Sequence, residues 1–408
     1  MKISNLHLEH AMPFEYGHLQ TRIICDIESN FTDVKHLWFS VDEHYSDWLT
    51  DDVYDAFLVA LLYPSMYYGE DIEICGNVSK RLYYNIMQYV QGVVLAYDDS
   101  FHRVDVKVQG FANAKKVGLL HVGTGFSGGV DSFSTLRDNF FNMTDVDYKI
   151  DKLFFFHVGQ YGNVKKKETW ERARNRFSIT YDFAKEIGVD AIMMNTNLFD
   201  IYLPFWEYDA GVLCRIASVL VFQKKLRRYY ISNTISYKEL AQMNLKDHHV
   251  DMAEISDPII MPLLSPEGLD IVCDGAQYTR TEKILNISSL NLAQKHLNVC
   301  VNSSDEHIDA TNCSYCPKCL RTLMALESAD VLPKFSGVFD LKQWKKRAFL
   351  YKCEQVFKYS TDAFAQDNVD FAKKRGKKVP NAVIAYLVCM TCRLLLLPKW
   401  VWHKLKKL

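Results

Sequence analysis

The stretch Gly123-Thr-Gly-Phe-Ser-Gly-Gly-Val-Asp-Ser-Phe-Ser-Thr-Leu136 decides how this chain is read. Val117–Thr124 leads into it with strand character, and a helix is expected to leave it from about Ser132. Strand, glycine-rich turn and helix form an arrangement suited to an anion. Gly128 and Gly129 let the backbone turn tightly and approach a ligand with no Cβ in the way. The helix start offers amide N–H groups and the positive end of a dipole. Ser127 and Ser132 add hydroxyl donors. Bare phosphate would repel Asp131, so its presence implies a Mg²⁺ between them. No Gly-Lys-Ser/Thr follows, which excludes the Walker pattern. A plain βα turn with Ser132 as helix N-cap explains the glycines but not the complete Ser-Gly-Gly-x-Asp-Ser string.

Outward from the loop, residues 116–330 alternate strands with helices. Lys152–Val158, Val189–Asn195 and Arg228–Asn233 read as strands, separated by helices over about 166–187 and 211–226. Connections of that length call for parallel pairing, hence an α/β, Rossmann-like sheet covered on both faces that binds ligands at its C-terminal edge. Residues 1–115 read as a small α+β domain. Short strands fall in 18–29 and 37–45, helices over Val53–Tyr67 (Pro64 marking a kink or an end) and Ser79–Leu95, and alternation resumes at His102–Val108. Residues 331–408 read as a helical extension with a loop at Gly376–Pro380. The expected division is therefore 1–115, 116–330 and 331–408.

Four of the eleven cysteines crowd into Cys300–Cys319. Cys313, Cys316 and Cys319 are spaced by two residues, a turn that directs sulfurs to one ion, and Cys300 completes a tetrahedral set for Zn²⁺. Reduced cysteines without metal, or an iron–sulfur cluster on three of them, are the alternatives. Cys389 and Cys392 form another such spacing inside an apolar run and read as core. The odd total argues against a simple disulfide set, and Met1–Gly17 lacks the apolar core of a secretory signal. A reducing, cytoplasmic compartment is expected.

The Ser127–Ser132 string resembles the signature of the PP-loop ATP pyrophosphatase superfamily. That resemblance implies an adenine nucleotide alpha hydrolase-like core. It also implies cleavage of ATP to AMP and pyrophosphate, with adenylation of a carboxylate or carbonyl oxygen that a nitrogen or sulfur nucleophile then attacks. Ser127, Asp131 and Ser132 would carry the catalysis, and Phe126–Ser132 with Arg280 would hold the nucleotide and Mg²⁺. The loop followed by Cys300, Cys313, Cys316 and Cys319 is similar to the QueC-type 7-cyano-7-deazaguanine synthases, which hold zinc in such a knuckle and turn a carboxylate into an amide and then a nitrile with ammonia. His157–Gly162 is similar to their YGQ-containing turn. Glu207–Gly211 and Ser232–Tyr237 stand where that family carries other substrate loops, so the deazapurine substrate does not carry over. The resemblance covers roughly 118–330 and leaves the acceptor as a small molecule or a protein terminus, with ammonia or an amine as donor. A tRNA sulfur transferase and a nucleotide-sensing module are the other readings.

Of Arg280, Glu282 and Lys283, Arg280 is a candidate for gripping a substrate anion bidentately, or else the three form a solvated helix start. His248, His249 and Asp257 precede an apolar run, Ile259–Leu264, read as a strand; Lys318 and Arg321 abut the knuckle; Lys165–Lys167 reads as a solvated helix start. Charge is balanced, 48 Lys+Arg against 49 Asp+Glu, which disfavours nucleic acid as a partner. Ala382–Leu397 is apolar but shorter than the roughly 20 residues that span a bilayer. It reads as a buried helix, with an interfacial anchor through Trp400, Trp402 and the terminal lysines as the alternative.

Overall fold

In the computed structural model the described residues are 1–13, 19–97, 100–159, 167–202, 211–242, 252–300 and 312–395. Ten strands form one sheet: β1 (Lys2–Pro13), β2 (Leu19–Glu28), β3 (His36–Asp42), β4 (Ile72–Val78), β5 (Val106–Phe111), β6 (His121–Gly125), β7 (Lys152–His157), β8 (Asp190–Thr196), β9 (Leu226–Ser232) and β10 (Asp270–Asp274). Their order is β10-β9-β6-β7-β8-β3-β2-β1-β4-β5.

The half from β10 to β8 is wholly parallel. Its earliest strand, β6, lies between β7 and β9, so the order of connection reverses there. That is the doubly wound, Rossmann-like arrangement, whose ligand crevice opens at the carboxyl ends of the strands at the reversal. The Gly123–Leu136 stretch leaves β6 at this point. Gly123 is required within the strand, because a Cβ there would meet the Phe154 ring at 2.6 Å.

The N-terminal strands do not form a domain of their own; they extend the same sheet. β3 runs antiparallel to β8, with Phe39 opposite Thr196 and Val41 opposite Met194. Asn197 stitches the seam, accepting from the Trp38 N–H at 2.9 Å and donating to the His36 carbonyl at 2.8 Å. The Asp55–Tyr68 helix packs against this continuous core, buried over nearly its whole circumference. Tyr202 Oη donates to the Ala60 carbonyl at 2.6 Å. Pro64 lies inside that helix and does not end it, because apolar burial all round offsets the lost backbone bond, about 3 kcal/mol.

Two strands were not legible. β1 carries Asn5 and Ala11 at positive φ with register shifts around both, which breaks the alternation that marks a strand. β4 includes Gly76 and an irregular register. The Ile259–Leu264 run is not a strand: it lies in the Met252–Leu263 helix and its end, because a short buried apolar run fits either element until packing decides.

The chain forms two compact units, one of 1–127 with 138–277 and one of 128–137 with 278–408. This replaces the division expected at 115 and 330. Strand pairing merges the first 115 residues into the sheet, while the helix of the loop, Val130–Leu136, groups with the C-terminal segment. Among the described residues the second unit holds that helix, Arg280–Ile287, Asn291–His296, Pro317–Ser328, Leu341–Phe357, Ala363–Lys374 and Ala382–Leu395 with their connections. Among the described residues no helix is long and apolar enough to cross a membrane.

Candidate functional site: a charged loop beside a thiolate knuckle

Within the second unit the loop is shaped by its glycines. Gly128 takes φ +73°, the left-handed region that L side chains avoid, while its surroundings leave ordinary room for a Cβ. Glycine is therefore required by backbone conformation and not by crowding. Gly129 is the extended residue before the helix. Ser132 does not cap that helix, as a plain turn would have it; it lies inside the first turn, buried, and its hydroxyl donates to the Gly129 carbonyl at 3.0 Å. Val130 is buried and Ser127 is exposed. Phe126 belongs to the first unit, where its ring stacks on Phe183 at 4.1 Å and its carbonyl accepts from the Thr180 hydroxyl at 3.1 Å, so it serves the core.

Asp131 is met by two cations. Arg280 Nη1 pairs with one carboxylate oxygen and Lys283 Nζ lies 3.1 Å from the other. Both come from one helix, Arg280–Ile287, at positions three apart and thus on one face. Its start is fixed by a capping box: the Thr279 hydroxyl accepts from the Glu282 N–H, and Glu282 accepts from the Thr279 N–H at 2.9 Å. Asp367 adds a second hold, accepting from the Thr281 N–H and hydroxyl, both at 2.9 Å. Burial nonetheless raises the Asp367 carboxyl above its ordinary range, more than those donors lower it.

This helix start is not the solvated one that composition allowed. Arg280 and Lys283 are buried, Lys283 completely, and only Glu282 faces solvent in its capping role. Burial alone would push the Asp131 carboxyl up, but the Arg280 guanidinium and Lys283 ammonium together hold it at about 2. Two buried cations thus meet one carboxylate at the loop. Arg280 Nε–H, moreover, is buried with no hydrogen-bond partner among the described residues. An unpaired buried donor on a cation is costly unless an acceptor arrives, and an anion would supply one.

The knuckle follows in the same unit. The sulfurs of Cys300, Cys313, Cys316 and Cys319 lie within 4.8 Å of one another, and Cys313 and Cys319 are 3.8 Å apart. A tetrahedral ion with bonds of about 2.3 Å sets sulfurs about 3.8 Å apart, so this donor set fits Zn²⁺. All eleven cysteines are free of disulfides. Cys316 donates its N–H to Cys313 Sγ at 3.3 Å, and Ser314 takes φ +62° to close the turn. Pro317 opens the Pro317–Ser328 helix and places Cys319 in its first turn. Burial pushes the Cys313 and Cys319 thiols up, a tendency that coordination to a divalent ion reverses.

The remaining described candidates have surroundings of their own. Lys318 is exposed, and the Arg321 guanidinium lies over the Phe364 ring at 3.9 Å. Asp257 is buried and paired with Arg215 at 2.8 Å in the first unit. Asn233 of the Ser232–Tyr237 loop donates its N–H to the Asp274 carbonyl. Cys389 packs in the core with Cys353 and Ala385. His157 ends β7, buried, and burial lowers its imidazole to about 4. Gln160–Gly162 of the YGQ-like turn, Glu207–Ala210, His248, His249, Lys165, Lys166 and the tail with Trp400 and Trp402 lie outside the described residues. Asn298 and Asn312, missed in the sequence, hold the knuckle's arms in place. Asparagines are common in loops, and only their position beside Cys300 and Cys313 hinted at a role. No protein-family model matches the chain, and no curated protein or solved structure is found similar to it.

Proposed function

We propose that this chain is an ATP-dependent, AMP-forming ligase of the PP-loop ATP pyrophosphatase type. One observation carries the reading: Arg280 and Lys283, buried on one helix face, converge on Asp131 of the Ser127–Ser132 string. Two buried cations at the loop, with an Arg280 Nε–H that lacks a hydrogen-bond partner among the described residues, suit the charge of a polyphosphate. Asp131 orients both cations, and the glycine backbone of the loop admits phosphate oxygens. Mg²⁺ brought with ATP would supply charge neutralisation on the departing pyrophosphate.

The chemistry follows from that charge. A carboxylate or carbonyl oxygen of the acceptor attacks the α-phosphorus; the bond to the β-phosphate oxygen breaks and pyrophosphate leaves. A nitrogen nucleophile then attacks the activated carbon, and the oxygen departs with AMP. The protein contributes position and a preorganised positive field, the two effects that dominate phosphoryl and nucleotidyl transfer. The zinc-type knuckle supports the QueC-like branch, in which a second adenylation of the amide oxygen leads to a nitrile.

The test is product analysis with ATP labelled at the α-phosphate, Mg²⁺ and a pool of small carboxylates with ammonia. Labelled AMP with an equal amount of pyrophosphate supports the proposal; ADP and phosphate would falsify it. A second reading has an observation of its own, since both oxygens of Asp131 are engaged by cations. ATP binding with no turnover under any acceptor would assign a nucleotide-sensing module instead.

A further inference from the structure

Two buried asparagines tie the knuckle together. Asn312, next to Cys313, donates to the Leu297 carbonyl at 2.7 Å and the Val338 carbonyl at 3.0 Å, and accepts from the Val299 N–H at 2.7 Å. One side chain thus sews the Cys300 arm to the Cys313 arm. Asn298, two residues before Cys300, accepts the Cys300 N–H on its side-chain oxygen at 3.3 Å. Its own backbone N–H donates to the Gly128 carbonyl at 2.8 Å. Gly128 is the loop residue held in the left-handed region, and the place its Cβ would occupy is 3.6 Å from Asn298 Cβ.

We infer that Asn298 is a positioning residue through which a metal ion in the knuckle sets the conformation of the phosphate loop. Four thiolates on one ion fix the Cys300 backbone. The Cys300 N–H orients Asn298, and Asn298 holds the Gly128 carbonyl, which anchors the left-handed turn. A carbonyl held on one side of a peptide directs the next amide to the other, because the peptide unit is planar. The turn would otherwise sample other conformations freely, since glycine is the residue with most to lose on ordering. Coupling of this kind is reciprocal, so a ligand that fixes the loop also strengthens metal retention.

The part of this inference that concerns nucleotide rests on the function proposed above; the brace itself does not. Hydrogen exchange of the loop amides, residues 126–136, reads the brace in the absence of nucleotide. Three proteins are compared: wild type carrying zinc, wild type stripped by a chelator, and Asn298→Ala carrying zinc. The alanine variant keeps the backbone donor but loses the acceptor for Cys300. Its expected behaviour is one zinc per chain, unchanged far-ultraviolet circular dichroism, and loop exchange faster by roughly fivefold, the equivalent of one hydrogen bond. Transfer of its zinc to a chromophoric chelator is expected to quicken similarly, and Asn298→Asp, which keeps an acceptor, to restore most of both. Should stripping loosen the whole second unit, the zinc-loaded Asn298→Ala protein decides the matter. Unchanged loop exchange in that variant overturns the brace. A loop that loosens as expected, in a protein whose zinc transfer ATP does not slow, sinks the nucleotide reading and leaves the brace standing.

Discussion

Asp131 is the residue on which the charge balance turns. Its carboxyl is held at about 2, below the ordinary 3.8, so its ionised form contributes stability that is present above pH 3.8 and lost as pH falls through about 2. Linkage puts that contribution at about 2 kcal/mol. Asp131→Asn should lose it at pH 7 and flatten the acid limb, which urea unfolding at pH 7, 4 and 2.5 would register. Lys283→Met tests the other partner. It removes a fully buried ammonium and leaves Asp131 to Arg280 alone. Breaking a buried pair costs about 3–5 kcal/mol, and the partial exposure of Asp131 puts this one at the low end. Nucleotide affinity should fall at least about tenfold, the cost of one charge-assisted contact, and calorimetry with ATP measures it; affinity equal to wild type would remove Lys283 from the site.

Elements are joined by buried polar groups as well as by apolar contact. Asp55 begins the Asp55–Tyr68 helix with no exposure to solvent, and accepts from the Ser79 N–H at 2.7 Å, the Ser79 hydroxyl and Gln223 Nε2 at 3.0 Å. It thereby ties the helix to the end of β4 and to the turn before β9. Burial nevertheless outweighs those donors and raises its carboxyl to about 6. The sign is opposite to that of Asp131: stability from this group is full below about pH 3.8 and is lost as pH rises through about 6. Asp55→Asn keeps the acceptor for the Ser79 N–H, and its amide can donate to the Ser79 hydroxyl. The Gln223 side-chain oxygen, buried without a hydrogen-bond partner among the described residues, offers a second acceptor. The variant should melt higher than wild type at pH 8 and alike at pH 4, a difference of about 3 kcal/mol at most. A lower melting temperature at both values would mean that geometry, not charge, governs the site.

At the scale of the whole molecule the continuous sheet has a direct consequence. A chain begun at residue 116 would leave β8 without β3 and strip the core of the Asp55–Tyr68 helix and its apolar neighbours. An exposed interior strand edge over a bared core invites association between chains. Such a truncation should be insoluble or aggregated by light scattering, although residues 116–330 read in the sequence as a domain of their own. A monomeric, cooperatively folding product would show the N-terminal strands to be dispensable.

The chain by itself determined the local pieces. Glycines at 128 and 129, Asp131, the thiol spacing at 313, 316 and 319 and the alternation of strands with helices are all written within short windows, where backbone freedom, ligand reach and periodicity act. Tertiary structure decided what those pieces meet. Arg280 and Lys283 lie about 150 residues from Asp131 along the chain, and only folding made them its buried partners. The same holds for the pairing of β3 with β8, since a strand's edge carries no record of which strand it will join. Asn298 reaches Gly128 through a backbone N–H that every residue but proline possesses, so no side-chain pattern could have announced it. The feature first read as a phosphate loop thus becomes a glycine turn braced from the thiolate knuckle and charged from a neighbouring helix.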